Sequence, residues 1–460
     1  MRAGRDTGTA LQEPTWCLLL LSIVIFILLG WFSSVQADGI RNPFQGAAAI
    51  AQGNAFAAQA DDPTAVFYNP AGMTQLHGVQ HTFGIQFASV NTHFTSPTGV
   101  STRNEQPFPI GLPPPGQLFI TANLKDLGIH TLGSLSVGFG LQNLSGFAAK
   151  YPRNGPFASA VTFAQFPLID IKPTFAYKVT DRFSVGLGVD SFTFASFLGE
   201  GHLEQQSIRG GSTVELNGRG TTAGLNASVL YTLLQTDEGK PRLNLAFIWR
   251  SQAVLPVDGV FLVDGALVAN TTSSIRLPEI YTWGIAFWPI RDAKREWKVE
   301  VDVDYARWES IRNFDVRLSN GVILANPQQW SNAISIGVGT EYRWLSFPNE
   351  PNWNVALRTG YLHSQQVTPD VNFNPAAPDA PSHTLSVGVG LLCKETGRFL
   401  GLVTCGSETG FFGRKALGID LAYQAWLIES RMVTGNPNPT VNGTYQTTTH
   451  AGSMTMRVNF

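Results

Sequence analysis

The chain has 460 residues, with only 14% charged residues against 43% hydrophobic, and it carries 46 Gly and 30 Phe. Soluble domains average about 25% charge, so this composition suits a protein whose outer face meets something other than water. A net charge of −2 gives no reason to expect nucleic acid, whose binding normally demands a basic surface.

The first element is an apolar run, Cys17 to Gly30, preceded by Arg2 and Arg5. It falls short of the roughly 20 residues that span a bilayer. Val35-Gln36-Ala37 follows, with small residues where a signal peptidase cuts. Residues 1–37 therefore read as a secretory signal peptide, the alternative being an uncleaved anchor. Export leaves Cys393 and Cys405 in an oxidising compartment that permits a disulfide between them. The alternative is two free thiols. Two cysteines alone do not make a closed metal site, and no metal or cofactor is expected.

Residues 38–78 come next and contain Asp61-Asp62-Pro63-Thr64-Ala65-Val66-Phe67-Tyr68-Asn69-Pro70-Ala71-Gly72-Met73-Thr74-Gln75-Leu76. From residue 79 onward the recurring signal is period two, the mark of a strand with two unlike faces. Val79, Phe83, Ile85 and Phe87 share one face, with Gln80, Thr82, Gly84 and Gln86 on the other. Leu243–Arg250, Val355–Tyr361 and Leu417–Tyr423 repeat the pattern. In Val299–Tyr305 the alternate residues are Glu300, Asp302 and Asp304. Three carboxylates on one strand face need water or cations opposite them. A sandwich would turn them to bulk solvent, and a membrane barrel would turn them to a wet lumen with the valines toward lipid.

Aromatic residues near strand ends (Trp249, Tyr281, Trp283, Trp288, Trp308, Trp344, Tyr361, Tyr423 and Trp426) suggest interfacial girdles. Pro107–Gly116 and Asn374–Pro381 read as loops. The final strand alternates Met454, Met456, Val458 and Phe460 with Thr455, Arg457 and Asn459, an ending that barrel assembly machinery reads. The fold class expected is an all-β transmembrane antiparallel barrel over residues 79–460.

The Asp61–Leu76 segment closely resembles the N-terminal plug of the long-chain fatty acid outer-membrane transporter family (FadL-like), which includes aromatic-hydrocarbon channels. Tyr177–Val189, Leu225–Tyr231, Leu245–Ser251 and Leu277–Trp308 look like the same family. The resemblance implies a barrel of about 14 strands with both ends in the periplasm. It further implies a hatch over residues 38–78 inside it, and an interior ligand pocket reached from an extracellular groove. Cargo leaves sideways through the barrel wall, and Asn69-Pro70-Ala71 matches the motif beside that opening. The function so implied is passive uptake of fatty acids or hydrocarbons at the bacterial outer membrane, amid its lipid and lipopolysaccharide.

Strand parity offers lumen-facing cations at Lys172, Lys178, Arg250, Arg358 and Arg457. One or two of them would hold a carboxylate head group. The alternative is that they neutralise Glu300, Asp302, Asp304 and Asp420. If Val185, Leu187 and Val189 face lipid, Phe192 and Phe194 point inward with Asp190; a bulge would reverse this. The competing readings are an outer-membrane lipid-modifying enzyme and a plain porin or adhesin barrel. The enzyme needs a serine–histidine pair on the lipid-facing wall, and no histidine is placed there beside a serine. The Asp61–Leu76 segment argues against an unplugged barrel. No catalytic residues are expected.

Overall fold

A computed structural model describes residues 39–105, 116–145, 148–194, 199–207, 211–394, 397–399, 401, 403–406 and 415–460. The leader expected over residues 1–37 lies outside them, as does nearly all of the loop expected over residues 107–116. The period-two segments form the strands of one antiparallel sheet. In chain order these are β1 Val79–Thr95, β2 Gln117–Asn123, β3 Leu135–Ser145, β4 Leu168–Lys178, β5 Phe183–Phe194, β6 Thr221–Gln235 and β7 Pro241–Arg250. They continue as β8 Ile280–Arg291, β9 Arg295–Ala306, β10 Ala333–Trp344, β11 Trp353–Ser364, β12 Ser382–Lys394, β13 Ala416–Ile428 and β14 Gly443–Asn459. Each pairs with its chain neighbour, and β1 pairs with β14 from Gln80↔Asn459 to Thr95↔Thr444. The sheet thus closes into a 14-stranded barrel with every strand's neighbour supplied.

Alternation decides which side meets what. Phe175, Leu187, Trp283, Ile285, Leu357, Val387 and Leu421 stand exposed on the outside. Their neighbours Thr174, Gly186, Thr282, Ala286, Arg358, Ser386 and Asp420 point inward. No helix among the described residues is long and apolar enough to cross a membrane. A closed barrel with an apolar outer face pairs all of its strands, as a membrane-spanning sheet must.

The two rims differ. Short connections such as 179–182, 236–240 and 292–294 lie at the rim that carries Val79 and Asn459. The other rim carries the long connections, and these pair into a second, eight-stranded sheet that includes Gly201–Gln206, Thr213–Arg219, Ala253–Val263 and Ala266–Leu277. Short turns mark the periplasmic rim of such barrels and long loops the extracellular one. Cys393 and Cys405 are bonded to each other at the short-turn rim, with Cα atoms 5.6 Å apart.

The N-terminal segment, residues 39–76, packs against the inward faces of the strands. It contains two single-turn helices, Ala47–Ile50 and Ala65–Tyr68, and a 3-10 helix, Pro70–Gln75. Glycines on the strands make room for it. An added Cβ on Gly360 would stand 2.0 Å from the Gln52 carbonyl carbon, and one on Gly339 would stand 2.3 Å from the Gln52 oxygen. On the opposite wall, one on Gly186 would stand 2.5 Å from the Ala71 nitrogen.

Three of the aromatics expected at the girdles are placed otherwise. Trp288 and Trp308 are buried. Trp426 turns inward against Phe44, with ring centroids 4.7 Å apart. The enclosed segment gives these rings an apolar partner inside the wall, which a water-filled lumen would not. Tyr281 and Trp283 do face outward, stacked at 6.1 Å beside Phe247.

Candidate functional site

The wall grips the N-terminal segment through charge. The β9 carboxylates expected to need water or cations meet cations and, in addition, backbone N–H groups. Asp302 Oδ2 accepts from Phe56 and Ala57 at 2.7 and 2.8 Å. Glu300 Oε1 accepts from Ala58 and Gln59 at 2.6 and 3.2 Å. Asp304 pairs with Arg41 at 2.6 Å, and Lys298 pairs with Glu300 at 2.7 Å. On the adjoining strand β10, Arg343 bridges Asp61 and Glu341, both at 2.7 Å. Bonds to charged groups are about twice as strong as neutral ones, and this site is shielded from bulk water.

Asn69-Pro70-Ala71 opens the 3-10 helix. Asn69 Oδ1 accepts from the Ala71 nitrogen at 3.1 Å, while its Nδ2 donates to the carbonyls of Ala57 at 2.8 Å and Val229 at 3.3 Å. The Ala71 nitrogen also donates to Ser228 Oγ at 3.0 Å. One asparagine thus caps the helix, ties it to the segment and ties both to β6. Met73, further along the helix, abuts Gly138 of β3 and packs with Phe119 of β2.

Two apolar cavities lie along one side. The outer one, with an empty volume of about 1360 Å³, lies under the second sheet and is lined by Phe166, Phe194, Leu216, Val257, Ile275, Phe314 and Trp330 among others. Asp379 sits at its edge. Burial pushes this carboxyl above its ordinary range, although it accepts N–H bonds from Val367 and Thr368. The inner cavity, about 620 Å³, is lined by Phe67, Phe192, Leu277, Ile280 and Trp308, with Arg41, Asp170, Asp190, Arg250 and Ser251 as its polar members. Ile40 lines both. A third cavity, about 1420 Å³, lies against β1 and touches inward Gln86 and Thr92, outward Phe87, and Trp426.

The expected ligand residues separate into two groups. Phe192 and Phe194 point inward, because β5 and β6 pair without a shift through Asp190↔Gly224 and Phe192↔Thr222. With Phe166 and Leu168 they form an apolar cluster between the two cavities. Arg250 lines the inner cavity, its guanidinium 4.8 Å over the Phe67 ring and donating to the Phe67 carbonyl. Lys172 is taken by Asp190 at 2.5 Å, and Arg358 by Glu341 and Asp420, both at 2.6 Å. Arg457 likewise pairs with Asp420 at 2.7 Å. Lys178 pairs with Asp181 at the short-turn rim. Arg358 thus neutralises Asp420, as the alternative has it, Lys172 neutralises Asp190 instead, and neither lines these cavities. Asp170, Trp308 and Ile40 were not foreseen as lining residues. Parity placed Asp170 inward, but nothing in sequence marked its neighbours.

Histidines do reach the outer wall. His383 is bonded to Tyr361 Oη at 2.6 Å and pairs with Glu429 at 3.2 Å, and His450 is bonded to Tyr423 Oη at 2.7 Å. His450 also lies opposite Ser89 in the β1–β14 ladder, against the expectation of no such neighbour. Its ring Nδ1 meets the Tyr423 hydroxyl, and cross-strand neighbours depend on a register that sequence does not display.

The sequence profile of the family described as outer membrane protein transport protein (OMPP1/FadL/TodX) matches residues 32–397. A FadL homologue from Pseudomonas aeruginosa superposes with a TM-score of 0.70 at 16% identity, covering 92% of this chain and 100% of that one. The toluene transporter TbuX of Ralstonia pickettii gives 0.60 at 14% identity, covering 90% and 98%. The toluene transporter TodX of Pseudomonas putida gives 0.61 at 16%, covering 92% and 99%. No curated protein matches the chain in sequence.

Proposed function

We propose, from the premise that the chain belongs to the outer membrane protein transport protein family (OMPP1/FadL/TodX), that it takes up long-chain fatty acids or hydrocarbons passively and releases them sideways through the barrel wall. Family membership and the closed barrel make it an outer-membrane transporter of hydrophobic compounds, in a family of channels rather than enzymes. The observation that carries the finer reading is a pair of apolar cavities that share Ile40 as a wall residue, one under the second sheet and one inside the barrel. A hydrophobic solute gains nothing from a water-filled pore but does gain from a continuous apolar path.

Residues 38–78 act as a hatch in this reading, since the carboxylates of β9 and Arg343 of β10 hold the segment in the lumen. Sideways release is supported by the ladder. Pairing of β1 with β2 stops at Gly84↔Gln117, while β1 itself runs on to Thr95. The β3–β4 register shifts between Asn143 and Ser145. The β4–β5 pairing skips Lys172 and Pro173. Pro lacks the N–H that a ladder needs. Asn69-Pro70-Ala71 holds the helix on β5 and β6, and Met73 carries that helix to β3 beside the interruption. The surrounding partners are outer-membrane lipid and lipopolysaccharide, with the barrel assembly machinery acting before transport begins.

Proteoliposomes holding the protein should accumulate labelled oleate or toluene several-fold faster than protein-free vesicles. Absence of any acceleration for both would sink the transport reading. Replacing Asn69-Pro70-Ala71 with bulky residues should slow uptake while heat-modifiable migration stays normal. Unchanged uptake in that variant would remove the motif from the route.

A further inference from the structure

At the polar end of the inner cavity a buried carboxylate oxygen goes without a protein donor. Asp170 is buried and lines the cavity. Its Oδ2 accepts from Gln142 Nε2 at 2.7 Å, whereas its Oδ1 has no protein partner among the described residues. Behind it, Gln142 Oε1 and Asn226 Oδ1 are also buried without a protein partner. Both amides are fixed in orientation, because each turns its NH2 to a carboxylate, Gln142 to Asp170 and Asn226 to Asp190 at 3.1 Å. Flipping either would set oxygen against oxygen. Each acceptor left in this state disfavours the empty site.

The charges nearby already balance. Lys172 is spent on Asp190 and Arg41 on Asp304, and Arg250 faces the same cavity as Asp170. No carboxylate lies within ion-pair distance of Arg250 among the described residues, so its remaining N–H groups are free to donate toward the cavity. A carboxylate head group would be drawn to Arg250 but would meet the unpartnered oxygen of Asp170. A hydroxyl head group does both jobs at once: its proton goes to Asp170 Oδ1 and its oxygen accepts from Arg250. The rest of the cavity, walled by Phe67, Phe192, Leu277 and Trp308, takes an apolar body.

We propose that the inner cavity is built for an uncharged apolar molecule bearing a hydroxyl group, a long-chain alcohol or phenol, in preference to a fatty-acid anion or a plain hydrocarbon. This rests on the transport reading above and narrows its cargo.

The test is equilibrium binding of 1-dodecanol, dodecane and dodecanoate to the purified protein in detergent at neutral pH. Dodecanol should bind roughly tenfold tighter than dodecane, the order expected of one bond to a charged acceptor in a shielded site. Dodecanoate should bind more weakly than dodecanol. Asp170→Leu removes the acceptor and should collapse the ratio of alcohol to alkane toward one. Asp170→Asn keeps the side-chain shape and should narrow the ratio as well, so a folding defect in the leucine variant leaves the question decided. Dodecanoate binding tightest would overturn the proposal. So would a ratio unchanged by both substitutions, which would mean that water alone serves these acceptors. Failure of transport is read separately, as no flux of any of the three compounds into proteoliposomes.

Discussion

Asp302 accepts two backbone N–H bonds through a single oxygen, and both donors are buried. Asp302→Ala leaves the Phe56 and Ala57 amides without their anionic acceptor. It should weaken docking of this stretch by about 2–4 kcal/mol. Amide hydrogen exchange should report faster exchange at Phe56 and Ala57 while the β8 and β10 amides keep their protection. Equal exchange in both proteins would show that the stretch is held by packing alone. The inward direction of Asp302 was legible in sequence, because every second residue of Val299–Tyr305 is acidic. Its partner was not. A contact between residues 56 and 302 depends on where a chain end lies inside a closed barrel, and local alternation carries no trace of it. The same holds for Lys172 and Arg358, whose facing follows from parity while their engagement by Asp190, Glu341 and Asp420 follows from cross-strand register.

At the scale of the strand, one face meets lipid and the next residue does not. Val387 stands near the middle of β12, 52% exposed on the outside, while Ser386 is buried. Val387→Arg should cost about 2–4 kcal/mol in folding into lipid vesicles, the range for a cation near the bilayer midplane. Urea titration of the vesicle-folded protein measures this, and a loss under about 0.5 kcal/mol would contradict a lipid-facing Val387. Strands were the most legible elements, since period two survives wherever the two faces differ in chemistry. Aromatic side chains at strand ends were less so. Trp283 and Trp288 sit in the same strand, yet the first faces lipid and the second is buried inside. Between them the spacing is odd, so parity alone would have separated them; treating them together as a girdle set that signal aside. The second sheet went unforeseen because its strands are extensions or short pieces within long connections, where turn residues dominate the pattern.

For the whole molecule, the decisive arrangement is a barrel whose lumen is occupied by its own N-terminal segment. The fit depends on bare backbone at Gly339 and Gly360, where Gln52 approaches to 2.3 and 2.0 Å of where a Cβ would stand. A Gly339→Val, Gly360→Val double variant has no room for that approach. It should displace the segment and turn a channel for greasy solutes into a water-filled one. Planar-bilayer recordings should then show ion conductance at least several-fold above the parent protein, with heat-modifiable migration retained. A conductance unchanged in the folded variant would mean that the segment does not set the aqueous seal.

The sequence distance spanned by the segment's contacts also orders events in time. The Ala47 nitrogen donates to Thr455 Oγ1, 408 positions away, and the Phe56 nitrogen to Asp302, 246 positions away. These acceptors stand in one place only after β9 has paired with its neighbours and β14 has met β1. The residues made first are therefore the last to find their partners, and loop closure over such spans has no reward until the barrel exists. Through that interval the segment waits as a stretch of small side chains, with Ala47, Ala48, Ala49, Ala51, Ala57 and Ala58 all destined for burial. Small residues expose little apolar area each, which suits a stretch that must stay unattached until the container it fills has been built.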